Sequence, residues 1–565
     1  MNDVKQTAMH HARKLTDKQK KIALLIVAFA FVMDLLDSTI VNIAIPSIQV
    51  NLGASYSTIQ WLIAGYSLTF ALLLITGGRL GDVYGYKKLF MIGVGGFTAA
   101  SLLAGIAPNA GFLVAARLAQ GAMAALMVPQ VMSLMQVMYE PKERVGVMGM
   151  FGMLGGLAAS LGPIVGGLII KANFFGWDWR PIFLINLPVG IFALVAGAKF
   201  LPEGKSPHPL HVDVKGTLLI ILALSMFVFP LIEGRDLGWP LWSIGMLAAS
   251  IPVFAIFGWY EVRKDRRDKS ALIVPALFKI KTFISGLGLN VLVESLMVGY
   301  FLTFTLVLQA GLGYSPLKAA LTGVPTAVGM TIGFTVLGQK LMARYGRAVI
   351  SMGATIFGAG LVGVAWVFTH YTLTTHPWQF SLPLLLLGIG LSLIMIPMFS
   401  AALQDVDPGH AGAASGALNA VQQVGAAVGI AIIGVIFFGQ LSSGATKSFA
   451  QIVPEMRQEL SALHVPQAAQ VEIIRQTGTC FYDRSTAKDD TKIPASCQQA
   501  QASVPVDENG QKIVDVVAAS AKAANAHNFA SAFRSSVVYI LIILVVVCGI
   551  SLTLPRKLRV VEEAA

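Results

Sequence analysis

Apolar runs of about 20 residues recur along the whole chain, and they constrain its fold more than any other feature. Each run is long enough to cross the hydrocarbon core of a bilayer as an α-helix. A soluble core helix accounts for one such run but not for a long series. Only 12% of the 565 residues are charged, whereas soluble domains carry about 25%. Because backbone groups in lipid must hydrogen-bond internally, the sequence predicts an all-α integral membrane protein.

The runs predict 14 transmembrane helices. They lie near 22–45, 57–78, 89–108, 112–138, 145–170, 182–200, 214–232, 241–260, 283–308, 319–342, 349–369, 380–399, 411–439 and 535–554. The first run is too long for the apolar part of a signal peptide, and no small-residue cleavage site follows it. We therefore expect it to remain as the first span.

The net charge of +12 follows this topology. About 27 Lys and Arg residues lie in the tail, in one alternating set of short loops and at the C-terminus, and four lie in the opposite set, namely Lys171, Arg180, Arg235 and Lys318. By the positive-inside rule, the basic segments and both termini are cytoplasmic. The basicity therefore gives no support to a nucleic-acid partner, and the lipid bilayer is the expected surrounding.

The long connection 440–534 follows an odd number of predicted spans, so it faces outward, where disulfides persist. We expect Cys480 and Cys497 to form a disulfide; two free thiols are the alternative. Segments 454–463 and 466–476 each begin with Pro, which favours the first turn of a helix, and 514–534 is expected to lead helically into the last span. We expect this external cap either to shape substrate exit or to dock an envelope partner; a tolerated insertion is the alternative.

A weak internal repeat divides the chain. GGRLGDVYGYKK (77–88) follows span 2 and GQKLMARYGRA (338–348) follows span 10, and both end in an aromatic-Gly pair beside basic residues. Their placement predicts a cytoplasmic tail at 1–21, a six-helix half at 22–200, two inserted helices with linkers at 201–282, and a second six-helix half at 283–565. Two parallel halves with the substrate site between them are typical of transporters.

These segments resemble the motifs of the major facilitator superfamily, and specifically its 14-span drug:proton antiporter branch of EmrB and QacA-type multidrug exporters. The resemblance rests on LLDSTIVNIAIPSI in span 1, GGRLGDVYGYKK after span 2, RLAQG (117–121) in span 4 and LGPIVGG (161–167) in span 5. Two later segments also fit this branch of the family, namely GLGYSPLKAALTGVP (311–325) and GHAGAASGALNAVQQVGAAVG (409–429). The sequence departs from the family at Val83, Tyr86 and Gln422, where many relatives have Arg.

The resemblance implies the major facilitator fold in a bacterial cytoplasmic (inner) membrane. It implies a proton-coupled antiporter that exports amphipathic or cationic drugs or toxic compounds by alternating access. The proton gradient would be the energy source, with no cofactor. Alternatives are an exporter of one metabolite or siderophore, a non-transporting membrane receptor, and a membrane enzyme acting through the outer loop. The chain has no P-loop, so we do not expect ATP to be the energy source. It has no Cys/His cluster with metal spacing, so we expect no metal site, and the outer loop has no His/Ser/Asp arrangement, which counts against an enzyme.

Two acids interrupt span 1. Asp34 and Asp37 are three residues apart and share one helix face. A charged acid at mid-membrane costs about 2.5–3.5 kcal/mol, and burial beside a like charge favours the protonated form. The pair is suited to taking up a proton on one side and releasing it on the other, or to attracting a cationic drug. The structural alternative is an acid that caps loosened backbone or pairs with an Arg.

Two further charges lie inside spans. Arg117 opens RLAQG in span 4, and the resemblance makes it part of proton coupling near the span 1 acids; a side chain extending to the outer interface is the alternative. Glu294 lies in the middle of span 9 and is a second candidate proton or cation site. Trp61, Tyr66 and Phe70 in span 2 are candidate lining residues.

Glycines mark two mechanical segments. After span 2, we expect Gly78, Gly81 and Gly85 to permit a tight turn, with Asp82 capping a helix or pairing with a base to latch the inward gate. Lys87 and Lys88 fit a topology anchor. In span 5, the resemblance makes the segment containing Gly162, Pro163, Gly166 and Gly167 an antiporter signature. Its small residues allow another helix to approach closely. Ordinary tight packing between helices is the alternative explanation for these residues.

Overall fold

The computed structural model describes residues 16–139, 141–205, 213–268, 270–371, 375–406, 411–486, 494–502 and 508–556. Within these ranges the chain is helical and has no strand. The first eight long helices are α1 Asp17–Leu52, α2 Tyr56–Tyr84, α3 Tyr86–Gly105, α4 Ala110–Met138, α5 Pro141–Ala172, α6 Pro181–Phe200, α7 Val214–Asp236 and α8 Leu241–Asp268. The rest are α9 Lys281–Gly311, α10 Pro316–Leu337, α11 Ala348–Tyr371, α12 Pro377–Leu403, α13 Ala411–Ala462, α14 Gln467–Thr486, α15 Ala495–Ala502 and α16 Glu508–Ser551.

The predicted spans match these helices. In the described part of the chain, 13 helices are long and apolar enough to cross a membrane. Span 5 corresponds to α5, a helix of 32 residues whose Leu161–Ala172 portion is a shorter apolar segment. The fourteen predicted spans therefore have helical counterparts, and their apolar residues explain why so many large side chains remain exposed on the outside of the bundle.

Local sequence signals begin several of the helices. Thr16 caps α1 through a capping box with Gln19, and Ser55, Asn109 and Ser315 accept hydrogen bonds from the first turns of α2, α4 and α10. These side chains satisfy backbone donors that the helix itself leaves unpaired. Polar residues at the ends of the short loops therefore determine where these helices begin.

The repeat after spans 2 and 10 is visible in the backbone. Gly85 ends α2 with φ +102°, and Gly346 ends Gly338–Tyr345, the helical continuation of α10, with φ +55°. Both values lie in a region that glycine adopts without a Cβ penalty. The aromatic-Gly pairs thus end equivalent helices in the two halves.

One set of contacts between the halves lies towards one end of the bundle. We call the end that carries 440–534 the cap end, and the end that carries 85, 201–205, 270–280 and 346–347 the basic end. Towards the cap end, Gln309 Nε2 of α9 donates to Ile43 O of α1 at 3.0 Å, and the rings of Tyr56 and Phe438 lie 4.1 Å apart. These contacts join the two six-helix halves across the cap end.

The inserted helices α7 and α8 form a pair, in which α7 packs against α2 of the first half and α13 of the second half. Thr76 Oγ1 and Thr217 Oγ1 lie 2.9 Å apart, and Trp61 Nε1 donates to Glu233 Oε1 at 2.8 Å. Both bonds join α7 to α2. Much of α8 is exposed apolar surface, since only 17% of its most apolar 18-residue stretch is buried. That surface suits contact with lipid.

The cap is more helical than the sequence indicated. The helix predicted to begin at 454 does not, because α13 continues without a break from the bundle through Pro454 to Ala462. The helix predicted at 466–476 is confirmed, since α14 begins directly after Pro466, and so is the helical lead into the last span, since α16 begins at Glu508. The predicted disulfide between Cys480 and Cys497 is also confirmed. The cap has a small apolar core of its own, which includes Phe449, Met456, Leu460, Phe481 and Ile513.

Candidate functional site

The two acids of span 1 lie near the middle of α1, which has 36 residues. Asp34 is 4% exposed and Asp37 is 1% exposed, so both are buried inside the protein rather than solvated. Asp34 bonds to a residue of α2, and Asp37 bonds to residues of α4 and α6. The expected shared face is therefore an inward face of the first half.

Asp37 is the centre of a buried ion pair. Arg117 Nη1 of α4 contacts Asp37 Oδ2, while Asn186 Nδ2 donates to Asp37 Oδ1 at 2.7 Å and Gln120 Nε2 at 3.2 Å. Arg117 is only 1% exposed, and its Nε donates to Leu62 O at 3.1 Å. An arginine held in this way does not extend to an interface, so the alternative of a surface-seeking Arg117 is excluded.

Tyr66 connects Asp34 to this ion pair. The Tyr66 hydroxyl donates to Asp34 Oδ1, and the Arg117 guanidinium lies 4.4 Å from the centre of the Tyr66 ring. A cation over an aromatic face is attracted by the ring quadrupole. Asp34, Tyr66, Arg117 and Asp37 therefore form one connected polar chain. Of the candidate lining residues, Tyr66 and Phe70 are buried and Trp61 is partly exposed.

Sequence reasoning missed three members of this network. Gln120 and Asn186 both donate to Ser101 Oγ, at 2.8 and 3.2 Å, as well as to Asp37. The available signal was the presence of an amide side chain inside an apolar span, since such groups are rare in lipid unless they have partners. Gln120 stood within the RLAQG motif, and Asn186 stood alone in span 6.

Glu294 lies in the second half and has a different kind of partner. It is 3% exposed, and Gln422 Nε2 of α13 donates to its Oε1 at 2.5 Å. Gly425 lets α13 approach this point closely, because a Cβ there would lie 2.9 Å from Val291 Cα. One turn before Glu294, both polar side-chain atoms of Asn290 are buried without a hydrogen-bond partner in the described part of the protein. The structure thus places Glu294 in a second buried polar region, bonded within its own half.

The segment after span 2 corrects two expectations. Gly78 and Gly81 lie inside α2 rather than in a turn, and a Cβ on Gly81 would lie 2.0 Å from Gln130 Oε1 of α4. Gly81 therefore serves close helix packing, and the turn is made by Gly85 alone. Helix α3 has no side-chain cap, so Asp82 does not cap it; Asp82 accepts a hydrogen bond from Tyr86 at 3.0 Å.

The two lysines differ in their surroundings. Lys87 Nζ lies 3.2 Å from Glu203 Oε1 and donates to Ala198 O at 3.0 Å, whereas Lys88 is exposed. The Lys87 contacts join the start of α3 to the end of α6. In this conformation, Lys87 therefore braces the first half internally.

The glycines of LGPIVGG bring α5 against both halves. A Cβ on Gly162 would lie 2.0 Å from Thr39 Oγ1, and one on Gly166 would lie 2.6 Å from Ile43 Cγ2, both in α1. A Cβ on Gly167 would lie 2.9 Å from Leu317 Cα in α10 of the second half. Pro163 lies inside α5 between these contacts. The expected close approach is therefore present, both within the first half and between the halves.

The family model described as Major Facilitator Superfamily matches residues 27–430. The chain belongs to the major facilitator superfamily. Its fold is similar to that of a solved bacterial homolog of the human lysosomal transporter Spinster, in an inward-facing and occupied conformation. That structure gives a TM-score of 0.56 at 15% identity and covers 95% of this chain and 97% of its own.

Two curated relatives show where this chain lies in the superfamily. The "Probable actinorhodin transporter" of Streptomyces coelicolor is 36% identical over 95% of this chain and 92% of its own length. The "Multidrug resistance protein Stp" of Mycobacterium tuberculosis (strain CDC 1551 / Oshkosh) is 29% identical over 78% of this chain and 80% of its own. This multi-pass membrane protein is therefore a transporter-family member whose relatives are named for export and resistance. Among the described residues, no three His, Cys, Asp or Glu side chains are grouped so as to hold a metal ion.

Proposed function

We propose that this protein exports small amphipathic compounds, including drugs, in exchange for protons. The observation that carries the proposal is the buried chain from Asp34 through Tyr66 and Arg117 to Asp37, where α1, α2 and α4 meet inside the first half. Ionisable groups at this depth are costly, and they mark ion or substrate pathways in membrane proteins.

The two acids have different roles in this proposal. Asp37 has a positive partner and two amide donors. Asp34 accepts a hydrogen bond from a neutral phenol, the Tyr66 hydroxyl. An ion pair holds a carboxyl group in its charged form, whereas a neutral hydrogen-bond donor leaves it freer to exchange a proton. Asp34 is therefore the group that gains and loses the proton, and Asp37 with Arg117 responds to its charge through Tyr66.

Exchange requires that the proton and the substrate favour opposite conformations. A ligand shifts such an equilibrium only through different affinities for the two states. The contacts of Gly167 with Leu317 and of Gln309 with Ile43 close the cap end. We expect these contacts to break when the acids face the other side of the membrane. Glu294 is a second proton or cation site that the opposite half contributes.

The proposed orientation places the basic end in the cytoplasm and the cap outside a bacterial cytoplasmic membrane. The positive-inside rule supports this placement. The Cys480–Cys497 disulfide supports it independently, since disulfides persist in oxidising compartments. Docking of an envelope partner on the cap remains part of the proposal.

Export of one compound is the second candidate. The alignment with the actinorhodin transporter covers 95% of this chain, whereas the alignment with the multidrug protein covers 78%. That relative is named as a probable transporter of one compound, and the longer match favours an exporter of one compound. The two candidates share the same proton machinery and differ in the breadth of the compounds they accept.

Transport in everted membrane vesicles tests both. A pH gradient, acidic inside, should drive uptake of ethidium if the protein accepts many amphipathic cations. Asp34→Asn and Asp37→Asn should each abolish gradient-driven uptake. Ser38→Ala, which removes a hydroxyl bonded to Leu35 O of the same helix, should transport as the wild type does.

The outcomes separate the candidates. Movement of a single compound with no movement of ethidium or other dyes favours the dedicated exporter. Gradient-driven uptake that is unchanged in both Asp variants would show that proton coupling lies elsewhere. A receptor would show no gradient-driven movement of any compound.

A further inference from the structure

A second pair of buried carboxyl groups lies at the basic end, away from the site above. Asp213, directly before α7, is 2% exposed, and Glu261 of α8 is 3% exposed. One oxygen of each is occupied by fixed donors. Asp213 Oδ1 accepts from Gly216 N and from the Tyr260 hydroxyl, each at 2.9 Å, and Glu261 Oε2 accepts from Ile273 N at 3.0 Å.

The remaining two oxygens face each other. Asp213 Oδ2 and Glu261 Oε1 are both buried and without a hydrogen-bond donor in the described part of the protein. A Cβ on Gly216 would lie 2.6 Å from the first and 2.4 Å from the second, so the two oxygens are within about 5 Å of each other. Two acceptors cannot satisfy each other, because a hydrogen bond needs a donor.

We propose that Asp213 and Glu261 bind one proton between Asp213 Oδ2 and Glu261 Oε1. The proton turns one carboxyl group into the donor that both free oxygens lack, and it comes from the water at the basic end. Two carboxylates at this distance cannot both remain charged in a buried site without repulsion. A small monovalent cation would satisfy the same two oxygens, and the test below distinguishes it.

The charges around the pair fit a single proton. Arg79 of α2 interacts electrostatically with Asp213 and Glu261, and its guanidinium bonds to Ser270 O and Ala271 O. Asp268 is paired with Lys264 at 3.0 Å. Arg79 also interacts with Asp82 of its own helix. Loss of the shared proton would therefore add a negative charge to a group of carboxylates that this arginine already faces.

The proton would control the linker between the inserted helices and the second half. Residues 270–273 are bonded to Arg79 from α2 and to Glu261 from α8, and the chain then enters α9. When cytosolic pH rises and the proton leaves, repulsion between the carboxylates should loosen this attachment. The inserted helices therefore hold residues 270–273 in a pH-dependent way. These residues belong to the linker that leads into the second half.

Infrared spectroscopy and thermal unfolding of the purified full-length protein test the proposal. Difference spectra between the wild type and Glu261→Gln, and between the wild type and Asp213→Asn, should each lose a protonated-carboxyl carbonyl band at low pH. Asp265→Asn, a neighbour on α8, is the matched control and should keep the band. The melting temperature of the wild type should fall as pH rises through the titration of that band. Glu261→Gln should make the melting temperature much less dependent on pH, because an amide donates to Asp213 permanently.

Two results would overturn the proposal. The first is an unchanged carboxyl band together with an unchanged pH dependence of melting in both variants. The second is a melting temperature that rises with sodium or potassium chloride at constant pH in the wild type but not in Glu261→Gln, which would identify a cation as the ligand. Neither readout requires transport, so both are independent of the proposed exporter function.

Discussion

Variants of the Asp37–Arg117 pair can show whether these residues stabilise the fold, take part in proton coupling, or do both. In Asp37→Asn, the buried guanidinium keeps Leu62 O and Gln120 but loses its counter-charge. In Arg117→Gln, the buried carboxylate keeps Asn186 and Gln120 as neutral donors. Breaking a buried ion pair from one side costs about 3–5 kcal/mol because a charge is left uncompensated.

The double variant Asp37→Asn/Arg117→Gln removes both charges and should recover much of that loss. Two amides can hydrogen-bond to each other and to the remaining amide groups, so no buried charge stays unpaired. The two single changes should therefore be strongly non-additive, as expected for residues in direct contact. In a chain of this size, each kcal/mol moves Tm by about 2 °C or less. We expect the single variants to melt several degrees below the wild type, and the double variant to melt between them and the wild type.

Thermal unfolding in detergent and transport in everted vesicles are measured on the same preparations. All three variants should lose gradient-driven uptake, even though the double variant regains stability. Two results would refute this reasoning: stability losses that simply add in the double variant, or gradient-driven uptake by the double variant at the wild-type rate. Either would mean that the ion pair is a structural brace that proton coupling does not use.

Three further changes test separate parts of the structure. Gly167→Leu should slow transport without abolishing substrate binding. Overpacking against Leu317 costs about 1–3 kcal/mol in the state that is closed at the cap end. Gly245→Ala is the control, because a Cβ at Gly245 would have no other atom within 4 Å. The double change Cys480→Ser/Cys497→Ser should lower the local stability of the cap by about 3 kcal/mol, the entropy of closing a loop of this length. Faster proteolysis of α14 with transport retained would confirm a local role, whereas loss of transport would assign the cap to the export path. Glu294→Gln should reduce the number of protons exchanged per substrate, as measured by proton and substrate fluxes in the same vesicles, and an unchanged ratio would exclude Glu294 from coupling.

The fold was largely predictable because lipid imposes a simple rule. Each span needs about 20 apolar residues, so span positions follow from the sequence directly. Helix ends were harder to place where a helix extends beyond the membrane. α13 continues through Pro454 to Ala462 because the cap has its own apolar core. Met456 and Leu460 are buried in that core, and their burial stabilises the additional turns of the helix.

The site was predictable in its charged members but not in its connections. Asp34, Asp37 and Arg117 stood out because charge is rare inside apolar spans. Their pairing depends on how α1, α2, α4 and α6 meet in space, which no local pattern specifies. The expected turn at Gly78 and Gly81 was wrong for a related reason, since glycine serves helix packing as well as turns, and only the neighbouring Gln130 shows which applies.

The two halves treat buried acids differently, and Gln422 is the residue that makes the difference. Asp37 is paired with an arginine, whereas Glu294 is bonded to the neutral amide of Gln422. Gln422→Arg would give Glu294 a counter-charge, hold it as a carboxylate and so remove it from proton exchange. We expect fewer protons exchanged per substrate and a transport rate that is less sensitive to pH, measured in vesicles with independent control of pH on each side. Gln423→Arg adds the same charge one position along α13 and should not reproduce this change in the proton-to-substrate ratio. Equal effects of the two variants would show that added charge in α13, rather than its pairing with Glu294, alters transport.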